Sequence, residues 1–136
     1  MEGKGTIEEL DIAECLALMA TERLGRLGVM VEGVPLVLPM QFAMDGQIVV
    51  LQTNQGAKTL HVPLTAVSFE VDHVDWEQGV GWSVLVQGTG EDISTAIDES
   101  SENRRSLAVH TWAPDPAERW LTIIPRMITG RRIRVT

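Results

Sequence analysis

The sequence predicts an α+β fold: a closed or nearly closed small antiparallel barrel of about six strands with a few flanking helices. Apolar residues alternate at period two through several separate stretches, as half-buried strands require. Glycine-containing turns join consecutive stretches, the strongest being Asp45-Gly46. Helical periodicity is confined to a few short segments.

The first helix falls in "DIAECLALMA", where Ile12, Leu16 and Met19 share a face. Asp11 is its expected N-cap, with Glu14 as the reciprocal partner, and its end is expected near Glu22. "LGRLGVMV" (24–31) alternates and runs into the turn "EGVP". In "VPLVLPMQFAM", Val34, Leu36, Leu38, Met40, Phe42 and Met44 fall on one face. The Asp45-Gly46 turn and "QIVVLQT" complete three consecutive antiparallel strands over 24–53.

"LQTNQGAKTL" (51–60) then ends the strand in a polar turn and opens a short helix at or near Asn54, with His61 at its end. "TAVSFEVDHV" (65–74) puts Val67, Phe69 and Val71 inward and Glu70 and Asp72 outward. "VGWSVLVQGTGEDI" (80–93) puts Trp82, Val84 and Val86 on one face. "STAIDESSENRRSLAVH" reads as a helix capped by Ser94 or Thr95, with Arg104 and Arg105 late in it to match its dipole. "RWLTIIP" and "RRIRVT" are expected as a final strand pair. No linker or repeat marks a second domain, so residues 1–136 read as one.

A hydrophobic fraction of 44% with 22% charged residues describes an ordinary globular chain. No apolar run reaches the roughly 18–20 residues of a membrane span. The start "MEGKGTIEELD" lacks the layout of a secretory signal, so a cytoplasmic location is expected. One cysteine, Cys15, cannot form an internal disulfide and is read as a small buried hydrophobe on the first helix. His61, His73 and His110 are far apart and no metal site is expected. Nucleotide-loop, zinc-protease and serine-hydrolase motifs are absent. The net charge of −8 argues against nucleic acid as a partner. The basic residues cluster, however: Arg126, Arg131, Arg132 and Arg134 crowd the C-terminal end, and only two lysines occur, Lys4 and Lys58.

Lys58 stands one turn into the helix after "VVLQT", beyond Gly56. Thr53, Asn54 and Gln55 present polar side chains there, and free backbone N–H groups at a helix start favour an anion such as phosphate. An ordinary capped turn explains the same pattern.

Several stretches taken in order resemble the flavin-binding split-barrel family of pyridoxamine 5′-phosphate oxidase. They are "LDIAECLALMATERLGRLGV", "GVPLVLPMQFAMDGQIVVLQTNQGAK", "VSFEVD" and "GWSVLVQGTG", with the tail "WLTIIPRMITGRRI" similar to short members related to nitroimidazole-resistance proteins. The resemblance implies a six-stranded split barrel that forms a homodimer and holds FMN in a groove at the subunit interface. It implies phosphate contacts at Thr53 and Lys58, with Gln52 and Asn54 beside them. Leu38, Pro39, Met40 and Gln41 match the strand that runs along the flavin ring. Trp82, Ser83 and Val84 match a segment near the ring, from the second subunit, and Arg131 adds charge near the site. Many members carry arginine where Gln52 stands, and Phe42 occupies a position often held by tyrosine. The chain also lacks the arginine-rich C-terminal pattern of the vitamin oxidases.

The implied activity is a flavin-dependent oxidoreductase acting on a small unsaturated or nitro-type substrate, with no catalytic residue named. The alternatives are a deazaflavin cofactor, a non-catalytic flavin-binding protein, or a cofactor-free dimeric interaction module. Independently, Trp76, Trp82, Trp112 and Trp120 together with two apolar strand faces exceed what one barrel of this length can bury, which also predicts a homodimer.

Overall fold

The computed structural model describes residues 5–53, 64–107 and 119–135. Seven strands and two helices follow in the order β1 (Gly5–Leu10), α1 (Ile12–Met19), β2 (Leu24–Val31), β3 (Val34–Asp45), β4 (Ile48–Thr53), β5 (Val67–Asp75), β6 (Val80–Asp92), α2 (Glu99–Arg105) and β7 (Arg119–Val135). The strands pair in the order β1-β7-β4-β3-β2-β5-β6, and β6 pairs again with β7. That last pairing closes six strands into an antiparallel barrel, with β1 added beside β7. The expected α+β split barrel is therefore what the chain forms.

The two tight hairpins follow from backbone chemistry. Val31 pairs with Val34 across Glu32 and Gly33, both with positive φ (50° and 79°). Two such residues make the mirror-image turn whose twist matches the strands it joins. Asp45 pairs with Ile48 across Gly46 (φ 58°) and Gln47. The alternation of β3, β5 and β6 holds as read: Met40, Phe42, Val67, Phe69, Val71, Val84 and Val86 are buried in one core with Leu27, Leu51, Leu121 and Ile123. Phe42 and Phe69 meet edge to face at 5.1 Å between centroids.

Asp11 caps α1 as expected, its Oδ1 accepting from the Glu14 amide at 2.8 Å. The helix packs on β7 so closely that a Cβ on Gly130 would lie 2.5 Å from Cys15 Sγ. Cys15 is fully buried; that burial, and then the carboxylates of Asp11 and Glu14, raise its thiol pKa.

Two expectations are corrected, and one strand is added that the sequence reading did not include. The N-terminal segment forms β1, which carries no apolar alternation and is held by pairing with the second half of β7. The final strand pair is one continuous strand. Pro125 is tolerated within it because the β4 ladder ends at Ile123, the β1 ladder begins at Gly130, and the β6 ladder shifts register at Gln87/Gly88. The second helix starts later than expected, capped by Asp98. Ser94 cannot cap it, because its hydroxyl accepts from the Trp120 amide at 2.8 Å while Ile93 N donates to Trp120 O. Residues 94–97 instead bridge to α2, which is tied down by Arg104 on Asp45 (2.9 Å) and by Arg105 on the carbonyls of Ile93 and Ala96.

Gly88 is required where β6 shifts, since a Cβ there would stand 2.0 Å from the Ile124 carbonyl oxygen. Backbone cannot yield as a side chain can. Gly88→Ala is expected to destabilise the fold by about 1–3 kcal/mol, the range of a core overpacked by one carbon, measured by chemical denaturation.

Candidate functional site

Strand register sets what the outer wall of the barrel presents. Paired residues share a face, and inward Leu27, Leu38, Phe69, Val86 and Ile128 leave their neighbours outward. One outward row runs Val37, Gly28, Ser68, Gln87, Met127 across β3, β2, β5, β6 and β7. Small residues in its middle and Val37, Met30 and Met127 at its sides leave a trough of about 490 Å³. That falls in the roughly 300–1,000 Å³ range of small-molecule sites. Val37 is 69% exposed and Met30 and Met127 are also exposed.

The next row along runs Pro39, Arg26, Glu70, Leu85, Thr129. Here Arg26 Nη1 donates to Glu70 Oε1 at 3.1 Å and to Asp72 Oδ2 at 3.3 Å. A smaller trough of about 370 Å³ lies over these three residues and shares Gly28, Val37 and Ser68 with the larger one. One nitrogen serves two carboxylates, and the pair is incompletely neutralised. Burial first, then hydrogen bonding and repulsion from Asp72, push Glu70 from 4.5 up to about 7, against the opposing pull of Arg26.

The edge of β3 is the second feature. Its ladder to β4 ends at Phe42–Leu51, so residues 34–41 pair only with β2 among the described residues. The two-residue hairpins fix which backbone groups point which way. Even-numbered residues of β3 face β2, and odd-numbered residues face the open side. Pro35 and Pro39 occupy two of the odd positions, where a missing N–H breaks no ladder bond. Val37 offers both N–H and C=O to that side.

The residues singled out in the sequence divide into two groups. Leu38, Pro39, Met40 and Gln41 lie on β3, with Leu38 and Met40 turned into the core and Pro39 and Gln41 outward. Gln52 and Thr53 end β4, opposite Trp120 and Arg119. Alternation places Gln52 on the face of Val50. Asn54 and Lys58, like the short helix, His61, His110 and Trp112, lie outside the described residues. In the second group Ser83 pairs directly with Arg131, both outward, while Trp82 packs against the core and Val84 is buried in it. Three inter-strand steps separate β3 from β6, about 14 Å along the sheet. One chain does not bring the two groups together. Arg26, Glu70 and Asp72 were missed as a unit because Arg26 lies 44 and 46 residues before the two carboxylates in sequence. Among the described residues no group of three His, Cys, Asp or Glu could hold a metal ion, and no helix is long and apolar enough to cross a membrane.

Residues 11–132 match the profile of the family described as pyridoxamine 5′-phosphate oxidase. The chain belongs to that family. Within the same likeness, an uncharacterized protein of Mycobacterium tuberculosis is 26% identical over 133 residues, covering 93% of this chain and 86% of the relative. Among solved structures, the FAD binding protein of Mycobacterium smegmatis has a TM-score of 0.77 and 28% identity, covering 92% of this chain and 98% of its own. A FAD-binding protein of Mesorhizobium loti shares the fold at a TM-score of 0.76 and 24% identity, covering 93% and 97%. The family fold thus extends over nearly the whole chain.

The raised Glu70 carboxyl has a consequence for stability. Between its unfolded value near 4.5 and about 7, the folded protein holds a proton that the unfolded chain has lost. Stability contributed by that proton is present at low pH and is lost as pH rises through this window. Glu70→Gln should flatten that decline in denaturation midpoints recorded from pH 4.5 to 8. An unchanged slope would mean that Glu70 titrates normally.

Proposed function

We propose that the protein binds FMN as a homodimer and acts as a flavin-dependent oxidoreductase on a small unsaturated or nitro-type substrate. The observation that carries this reading is the open edge of β3 beside the outer trough, in a chain that belongs to the pyridoxamine 5′-phosphate oxidase family. A flat heteroaromatic ring can accept a hydrogen bond from the Val37 N–H and donate its own N–H to the carbonyls of Pro35, Val37 or Pro39 while lying against apolar wall. The likeness to a FAD binding protein at 28% identity supports a flavin and favours FAD as the second reading of the cofactor.

The separation of the two residue groups supports the dimer. With β3 and the segment Trp82–Val84 about 14 Å apart in one chain, a ring lying on β3 would meet the second segment from a second copy. Apolar exposure points the same way: Val34, Val37, Met30, Ile124 and Met127 are exposed on or near the trough walls, and Trp76 is 87% exposed. Monomeric surfaces seldom leave contiguous apolar patches open.

The bound flavin supplies the hydride and electron chemistry. The chain's own residues supply position and electrostatics. Thr53 and Lys58 hold the phosphate, the β3 edge fixes the plane of the ring, and the walls formed by Met30, Val37 and Met127 exclude water. The absorbance spectrum of the purified protein and the mass of any extracted cofactor test flavin binding and distinguish FMN, FAD and deazaflavin. Oxidation of reduced nicotinamide with a nitroaromatic acceptor separates an enzyme from a flavin carrier; no turnover by flavin-loaded protein would leave only the carrier.

Lys58→Ala should weaken FMN binding by about 1.5–3 kcal/mol, the worth of a hydrogen bond to a charged group, and Thr53→Ala should weaken it less. Fluorescence titration reads both, and an unchanged affinity for the lysine variant would make residues 54–58 an ordinary capped turn. Light scattering at micromolar concentration should give a dimer, whose interface is expected to bury roughly 2,000 Å² or more. Val37→Asp should yield a folded monomer with reduced flavin affinity, and a wild-type monomer would contradict the assembly.

A further inference from the structure

Arg119, the first residue of β7, drew no attention in the sequence. It pairs with Thr53 where the described part of β4 ends. Its side chain is only 15% exposed. Nε and Nη2 both donate to Asp92 Oδ2, the first at 3.2 Å. The other carboxylate oxygen accepts from the Ser94 amide at 2.9 Å and the Ser94 hydroxyl at 2.6 Å, so Asp92 cannot swing away. Burial alone would raise the Asp92 pKa; its hydrogen bonds from Ser94 and Arg119 outweigh burial and hold it below the ordinary carboxylate value. The guanidinium is clamped on one side, and its remaining nitrogen, Nη1, is buried without a hydrogen-bond partner among the described residues.

A buried cationic N–H without an acceptor is costly, and native proteins seldom leave one unmet without a ligand or water to fill the place. The planar guanidinium presents donors suited to an oxyanion. A phosphate monoester carries close to two negative charges, and in this chain of net charge −8 the sequence offers it one lysine and a neutral Gln52.

We infer that Arg119 Nη1 donates to the phosphate of the bound flavin nucleotide, supplying the second positive charge at that end of the site. This rests on the flavin reading above. Asp92 acts through Arg119 as a positioning residue, holding the fork in place.

The test titrates wild type, Arg119→Gln and the double variant Asp92→Asn/Arg119→Gln with FMN and with riboflavin, which lacks the phosphate. The double variant leaves no stray carboxylate, and thermal melts check that both variants fold. Both should bind FMN about tenfold more weakly at low ionic strength, with a smaller loss at high salt and riboflavin affinity unchanged. Equal losses for FMN and riboflavin, or no loss for FMN, would make Arg119 a strut between β6 and β7 while leaving the flavin reading intact. A wild-type protein that binds neither flavin would overturn both. If inorganic phosphate then raised the melting temperature of wild type and not of Arg119→Gln, Nη1 would serve free phosphate and the nucleotide assignment would fall.

Discussion

The pairing of β7 with three other strands is the constraint on which the rest of the molecule depends. Its first residues lie between β4 and β6, and its last between β1 and β6. The change of partner from β4 to β1 falls at Pro125, where the β6 ladder also shifts. A single strand therefore closes the barrel and carries the helix α1, seated over Gly130. A proline that would disrupt a central strand is accommodated at the one place where neither neighbour needs its N–H.

Closure on β7 leaves β3 longer than its partner β4, and that mismatch leaves the edge of β3 open among the described residues. Residues 34–41 extend past the end of the β3–β4 ladder with their odd-numbered backbone groups turned outward. The same register sets Gly28 and Ser68 side by side as the floor of the larger trough and gathers Arg26, Glu70 and Asp72 over the smaller one. The electrostatics are correspondingly local. One guanidinium answers two carboxylates on the outer wall, and a second is clamped by Asp92 at the end of the barrel.

The barrel strands were legible because each buries one face, so that period-two alternation is a direct print of the core. β1 was not, because Thr6, Ile7, Glu8 and Glu9 are all exposed and the strand is held by its ladder and by Arg132 on Glu8. Nothing in its hydropathy separates it from a polar tail. The break expected near Pro125 failed for the opposite reason: proline and glycine report local preference, and the ladder overrode them. Ser94 was a plausible cap until the strand beside it took its hydroxyl. Of the candidate site, the β3 and β6 segments stand out in the sequence as motifs. Their separation within one chain does not, because it depends on strand order, and neither does Arg119, whose significance lies in a nitrogen that, among the described residues, a partner 27 residues away leaves unpaired.

The central claim is that the open edge of β3 is the line along which the flavin ring lies. Amide hydrogen exchange of Val37, followed by NMR with and without FMN, tests it most directly. Pro35 and Pro39 have no amide, so Val37 reports the open side of this stretch almost alone. The account predicts fast exchange in the flavin-free protein and marked protection on adding FMN, with the β2-facing amides of Leu36 and Leu38 slow in both. Protection elsewhere on the barrel while Val37 continues to exchange freely would contradict it.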